Sequence, residues 1–532
     1  MNPHINIIAN RLSLRPPQRV SLEILAKVCD LIPLEKQTVS GQPSAFSNGH
    51  QENGLKADSR LLNASLSESR KLIAERFPSV TDFERDFPSL CFALATGVGK
   101  TRLMGAFIAY LFKAEGIRHF FVLAPNLTIY NKLIADFTPN TPKYVFQGIA
   151  DFAVEPPEII TGDNYESGRG VRARTLFGTD ERVYVNIFNI SKITSTETPK
   201  GAEKTNIPRF RRLKEYIGQS YFDYLSKLDD LVLLMDESHR YRASAGMKAI
   251  GELKPILGLE LTATPHVERG GGTQPFQNVI YAYPLSNAMT NGFVKEPAVA
   301  TRENFNPKNY DAAGLERLKL EDGVRIHENT KVELEVYARE NGKPIVKPFM
   351  LVIAKDTDHA NALVKVIEDE VFFEGRYKGK VIQVHSKQTG EERDETIEQL
   401  INVEKPDNPT EIVIHVNMLK EGWDVTNLYT IVPLRAANSQ TLVEQPIGRG
   451  MRLPYGKRTG VGVVDRLTIV SHDKFQEIVD YANSADSVIR GGLKVVYVSD
   501  ERSKVVIAEP EIVYRIEPSA VSSKGSAADL VV

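Results

Sequence analysis

The chain has 532 residues, 42% of them hydrophobic and 25% charged, with a formal net charge of −2. That balance is the one expected of soluble globular proteins, and the length favours two to four domains over a single core. No apolar run approaches the roughly 20 residues of a membrane span, and Cys29 and Cys91 alone exclude a disulfide framework or an all-cysteine metal cluster. The N-terminal MNPHINIIANRLSLRPPQRV lacks the basic, apolar and small-residue blocks of a signal peptide, so a reducing cytoplasm is the expected compartment. A net charge this small is silent on nucleic acid, because binding depends on where the basic residues lie.

In chain order, residues 11–35 predict a helix started by Pro16-Pro17, with Val20, Leu22, Leu25, Val28 and Ile32 at helical spacing. Residues 35–60 are polar, rich in Gly and Ser and without period, and read as a mobile loop or insertion. From residue 61 helical patterns alternate with short apolar runs: LCFALA, HFFVLAP, VYVNIFNI, LVLLMDE and LGLELTATP. Strands apolar on both faces belong to a parallel sheet covered by helices. Residues 301–347 are charged and lose that rhythm, so they read as a connector. PFMLVIAK, KVIQVHS, EIVIHVNML, YTIVPL and RLTIVS then build a second lobe over 348–490, and 491–532 reads as a frayed tail. The expectation is an α/β protein of two tandem lobes: 1–60 N-terminal, 61–300 first lobe, 301–347 connector, 348–490 second lobe and 491–532 tail.

Chemistry concentrates at strand ends. The strand LCFALA runs into Thr96-Gly97-Val98-Gly99-Lys100-Thr101 and then an apolar-faced helix. That order offers backbone N–H groups and a helix N-terminus to a phosphate, a lysine to the β and γ phosphates, and a hydroxyl to Mg²⁺. The strict pattern has Gly where Leu94 stands. LVLLMDESH delivers Asp236 and Glu237 to the end of another strand, the first suited to Mg²⁺ and the second to polarising water, with His239 placed for coupling. Thr262 and Thr264 in LTATP either bond to that acidic pair or form a simple turn before Pro265.

ATGVGKT, DESH, TATP and QPIGRGMR, in this order, resemble motifs I, II, III and VI of the superfamily 2 helicases and translocases. The stretch from HVNMLKEGWDV to QPIGRGMRLPYG is similar to the Res subunit of type III restriction enzymes and related DEAD/DEAH-box defence helicases. The resemblance runs from LRPPQ to about Asp480, outside the insertion. It implies two RecA-like lobes with an ATP site in the cleft between them. It further implies that Gln445, Arg449 and Arg452 face the γ phosphate from the second lobe, that Gly422 and Asp424 of motif V lie near the nucleotide, and that Arg15 and Gln18 read adenine. Trp423 is equally a core residue or a functional one.

The resemblance also implies DNA, duplex rather than single-stranded, as the polymer, with a modification-type subunit or separate nuclease as partner and no membrane. Arg209, Arg211, Arg212 and Lys214, and Lys457 with Arg458, are either phosphate contacts or solvated faces, and Asn126 and Thr128 are either strand contacts or helix caps. No PD-(D/E)xK centre is legible after Tyr455; Glu252-Leu253-Lys254 fits the triplet but lies between DESH and TATP. The expected activity is ATP hydrolysis driving translocation in restriction or phage defence. The rivals are an RNA helicase of the same superfamily and a nucleotide-gated scaffold without turnover.

Overall fold

The computed structural model describes residues 2–35, 65–168, 171, 182–190, 209–214, 219–242, 244–269, 272–385, 399–400, 402–416, 425–434, 450–483, 493–498 and 506–508. The insertion expected at 35–60 lies outside these residues apart from Glu35.

Two helices open the chain, α1 (Pro3–Arg11) and α2 (Pro16–Leu31), both with proline in the first turn, where its missing N–H is not needed. The first sheet takes β1 (Ser89–Leu94), β2 (His119–Ala124), β3 (Glu158–Thr161), β4 (Tyr184–Asn189), β5 (Leu231–Asp236), β6 (Leu257–Thr262) and β7 (Val279–Tyr283). Its spatial order is β7-β1-β6-β5-β2-β4-β3, and every pairing is parallel. Strands β1, β2, β4, β5 and β6 are buried at every position, which is why they read as unbroken apolar runs. Each such Val, Leu or Phe stabilises the lobe by about 1.5–3 kcal/mol. Helix α3 (Lys100–Glu115) ends at Gly116 (φ 71°) and packs against α1 and α2; α4 (Leu127–Phe137) follows β2.

The second sheet is wider than its sequence suggested. Its strands are β8 (Glu296–Arg302), β9 (Phe349–Ile353), β10 (Val381–His385), β11 (Ile412–Val416), β12 (Leu428–Pro433), β13 (Arg466–Val470), β14 (Lys494–Val498) and β15 (Val506–Ala508). The order is β10-β11-β9-β12-β13-β8-β14-β15, parallel except for the last pair. Two expected boundaries move. Residues 296–300, assigned to the first lobe, form β8 between β13 and β14 of the second sheet. Lys494–Val498, assigned to the frayed tail, is a strand of the same sheet. The connector at 301–347 is mostly one helix, α6 (Ala312–Glu340), which packs on β9, β12 and β13 with Leu318, Leu320, Val324 and Leu334 buried. The chain therefore crosses between lobes at 291–295, after the short helix α5 (Leu285–Thr290) and before β8.

Among the described residues no helix is long and apolar enough to cross a membrane.

Candidate active site

Strand β1 ends at Leu94, still paired in the sheet with Tyr283 and fully buried, so the glycine that the strict pattern wants there would fall inside a strand. The turn proper starts two residues later. Val98 is buried and anchors it, while Gly97 and Gly99 take φ of 79° and 102°, conformations in which L side chains are strained. Both glycines also permit close approach. A Cβ on Gly97 would lie 2.8 Å from Val294 Cγ1, and one on Gly99 would lie 2.6 Å from Gln18 Nε2. Lys100 and Thr101 then begin α3, whose first-turn N–H groups and dipole form a seat for an anion.

Two strands away, β5 ends on Asp236, and Glu237 follows with φ 48°, a left-handed conformation for a residue with a Cβ. Backbone held there is a feature of functional turns. Lys100 Nζ lies 2.8 Å from Glu237 Oε1. On the other carboxylate oxygen, Thr262 Oγ1 donates to Glu237 Oε2 at 3.4 Å. His239 Nδ1 stands 3.0 Å from Thr262 Oγ1 and 3.3 Å from Thr264 Oγ1, and Thr264 N donates to Thr262 Oγ1 at 3.1 Å. The geometry therefore joins Lys100, Glu237, His239, Thr262 and Thr264 in one network, in which the Thr262 hydroxyl bonds to Glu237 and the Thr264 hydroxyl meets His239.

The electrostatics separate the two acids. Burial, then the Glu237 charge, raises the Asp236 carboxyl above the usual range, with Lys100 and Lys132 opposing. Burial works against the Glu237 charge too, yet Lys100, by charge and by hydrogen bond, holds that carboxyl below the usual range. Burial also lowers His239, against the pull of Glu237. Asp236 Oδ1 is buried and has no hydrogen-bond partner among the described residues. A buried carboxylate oxygen left unsatisfied beside a Thr-Lys helix start fits a hard divalent cation such as Mg²⁺, which takes oxygen ligands.

From the second lobe, Arg452 follows the buried Met451, and its Cγ lies 3.8 Å from where a Gly97 Cβ would be. Its side chain thus rests on the Gly97 turn. Burial lowers the guanidinium pKa, while Glu404, Asp136 and Asp236 favour its charge. Gln445, Arg449, Gly422, Trp423 and Asp424 lie outside the described residues.

Arg15 and Gln18 are placed at the same turn in a way their sequence did not show. Gln18 Nε2 donates to Gly99 O at 2.8 Å and Gln18 Oε1 accepts from Arg15 N at 2.7 Å, while Arg15 Nη1 donates to Gly97 O at 2.7 Å. The Gln18 amide makes one bond at each end within the protein, which leaves one N–H and one carbonyl lone pair for a further partner. Both residues brace the turn's carbonyls.

Other candidates fall to structural partners. Asn126 caps α4, accepting from Ile129 N at 2.9 Å. Arg211 pairs with Glu252 and lies 3.9 Å over the Phe222 ring, which also occupies the Glu252 of the ELK triplet. Lys132 was missed: burial, then Arg452, pushes it down to about 7. The signal was its place four residues before Asp136 on α4, a pair hidden by the helix's apolar majority.

Two family models match along the chain. The family model described as type III restriction enzyme, res subunit, matches residues 53–267, and the helicase conserved C-terminal domain model matches 348–454. A probable type III restriction-modification enzyme HindVIP Res subunit from Haemophilus influenzae is 24% identical, aligned over 68% of this chain and 81% of its own. The EcoPI Res subunit of Escherichia phage P1 is 30% identical over 141 residues, 25% of this chain but only 13% of that one. The solved structure of the type ISP restriction-modification enzyme LlaBIII bound to DNA covers 87% of this chain and 33% of its own, at 14% identity and a TM-score of 0.45, too loose a likeness to carry an assignment.

Proposed function

Because the chain is a superfamily 2 helicase resembling the Res subunit of type III restriction enzymes, we propose that it is an ATP-driven DNA motor whose hydrolytic site is split between its lobes. The observation that carries this reading is the Arg452 side chain lying on the Gly97 turn, within the field of Asp236.

The residues divide the work. The α3 N-terminus and Lys100 receive the phosphates. To do so Lys100 leaves Glu237, and the carboxylate it had held acidic becomes more basic at the moment a water must be polarised. Asp236 and Thr101 would hold Mg²⁺, which when bound neutralises charge on the β and γ phosphates. Arg452 and Arg449 support charge on the transferring group, so turnover requires the lobes to be closed. Thr262 touches Glu237, and His239 touches Thr262 and Thr264, so a change at the acid reaches the segment after β6.

Duplex DNA as the track, a modification-type subunit as partner and a role in restriction or phage defence follow from the resemblance to Res subunits. The test is ATP hydrolysis by the purified chain with no polymer, duplex DNA, single-stranded DNA and RNA, alone and with a modification-type subunit. The expected result is stimulation by duplex DNA above the other three. Preferential stimulation by RNA would make it an RNA helicase, and a flat response across all four would end the motor reading.

A further inference from the structure

The turn after Arg452 is tied to the crossing between the lobes by Arg458, which the sequence left open between a phosphate contact and a solvated face. Arg458 Nε donates to Val294 O at 3.1 Å, Nη2 to Met289 O at 2.9 Å, and Nη1 to Glu296 Oε1 at 2.8 Å. Its stem lies on Gly292, where a Cβ would be 3.6 Å from Arg458 Cδ and the φ of 67° favours glycine. One planar fork thus spans the end of α5, the crossing and the first residue of β8. A point charge on a flexible stem cannot reproduce three acceptors in those directions.

The crossing that Arg458 grips is itself in contact with both halves of the site. Val294 is the residue that a Cβ on Gly97 would strike, so it packs on the phosphate-binding turn. Phe293 O accepts from Arg15 Nη1 at 3.4 Å, and Arg15 Nη2 also donates to Gly456 O at 2.8 Å, within the Arg452–Arg458 turn. Lys295 N donates to Met451 O at 2.7 Å, one residue before Arg452. The fully buried Lys295 ammonium donates to Thr426 O and Leu428 O, each at 2.7 Å, just past motif V. Residues 289–296 are therefore braced against the Gly97 turn, the segment 426–428 and the Arg452 turn together. A phosphate-contact role for Arg458 has little left to act with, since its side chain is 26% exposed and bonded at three nitrogens.

We propose that Arg458 is a positioning residue: it locks the crossing at 289–296 to the Arg452 turn, and so fixes Arg452 against the Gly97 turn for hydrolysis. This rests on the ATPase reading. Misplacing a catalytic group by about 1 Å from a distance can lower a rate roughly 10²-fold, so the effect belongs in kcat and not in ATP binding.

The test uses the full chain as wild type, Arg458→Ala and Arg458→Lys. Expected is a kcat lowered at least about tenfold in both variants with KM for ATP within about threefold. Guanidinium chloride at tens of millimolar, against a sodium chloride control, should restore part of the rate to Arg458→Ala and none to Arg458→Lys, whose ammonium fills the site. Hydrogen exchange at the amides of 97–100 and 289–296 should quicken in both variants, a readout that stands even if the wild type hydrolyses no ATP and the motor reading fails. Unchanged exchange in those two segments overturns the proposal. So does a rate loss that guanidinium does not repair, or unaltered kcat with weaker DNA binding and a shallower salt dependence, the signature of a phosphate contact.

Discussion

Asp236 and Glu260 stand on neighbouring strands of one sheet, one step out of register, since Met235 pairs with Glu260 and Asp236 with Leu261. Both are buried, and the fold treats them oppositely. Glu260 Oε1 accepts from Arg85 Nε at 2.8 Å, Ser89 Oγ at 2.8 Å and Asn278 Nδ2 at 3.1 Å, and Oε2 accepts from Arg242 Nη2 at 2.7 Å. Burial opposes its charge, yet Arg85 and Arg242 hold the carboxyl down to about 2. Asp236 keeps an oxygen without a partner among the described residues and a carboxyl raised above its usual range. Position explains the contrast. Glu260 sits two residues inside its strand, whereas Asp236 ends its own, where a parallel sheet presents groups to a ligand. A satisfied buried carboxylate stabilises the lobe; an unsatisfied one at a strand end is a place kept for something else.

The contrast breaks or holds by substitution. Glu237→Gln should have the largest effect, a fall in turnover of roughly 10²–10⁴-fold with little change in melting temperature, since it removes a base while keeping shape. Next, Asp236→Asn should weaken Mg²⁺-dependent turnover by a smaller factor and yet melt no lower than wild type, because an amide relieves a buried charge and its repulsion with Glu237. Glu260→Gln should do the reverse: it leaves two buried guanidiniums undercompensated and should lower stability by about 3–5 kcal/mol, read by denaturant unfolding, while the folded protein still turns over ATP. If Asp236→Asn destabilised and Glu260→Gln only lost activity, the assignment of the two acids would be inverted.

Their pH dependences should run in opposite directions. The folded pKa of Glu260, about 2, lies below its unfolded value, so its stabilisation is complete above the unfolded pKa and is lost as pH falls toward about 2. Asp236 is raised on folding, so its contribution is fully present below the unfolded pKa and is lost as pH rises through the folded one. Melts at pH 3 and pH 7 should show the Glu260→Gln deficit shrinking at the lower pH and the Asp236→Asn advantage shrinking there as well. The smallest effect belongs to Thr262→Val. It removes a 3.4 Å bond to Glu237 and one to His239, and should slow turnover by about five- to thirtyfold, as one or two net hydrogen bonds of about 1 kcal/mol imply.

Much of this was legible in the sequence, for reasons that also show what was not. Strands buried on both faces announce themselves as apolar runs, and Lys100, Asp236, Glu237 and Thr262 are readable because each follows such a run within a few residues. Strand β7 was missed because its burial alternates and its sequence, VIYAY, is short. Residues 296–300 of β8 were given to the first lobe because adjacency in the chain says nothing of the strand's partners, which lie roughly 170 and 196 residues onward at 466–470 and 494–498. Glu260 looked like a polar interruption in LGLELT; its partners Arg85, Ser89 and Asn278 come from elsewhere in the chain. Arg458 was an open choice between a phosphate contact and a solvated face, and only the folded crossing supplies its three acceptors.

The claim most exposed to test is that hydrolysis needs a cation from the second lobe. Arg452→Ala, assayed beside wild type for steady-state ATP turnover and for equilibrium binding of ATP, measures it directly. The account predicts a turnover loss of about 10³-fold or more, the scale of an arginine that stabilises a transferring phosphoryl group, with ATP affinity changed only a few-fold. Turnover equal to wild type, or binding and turnover falling together, would contradict a site divided between the lobes.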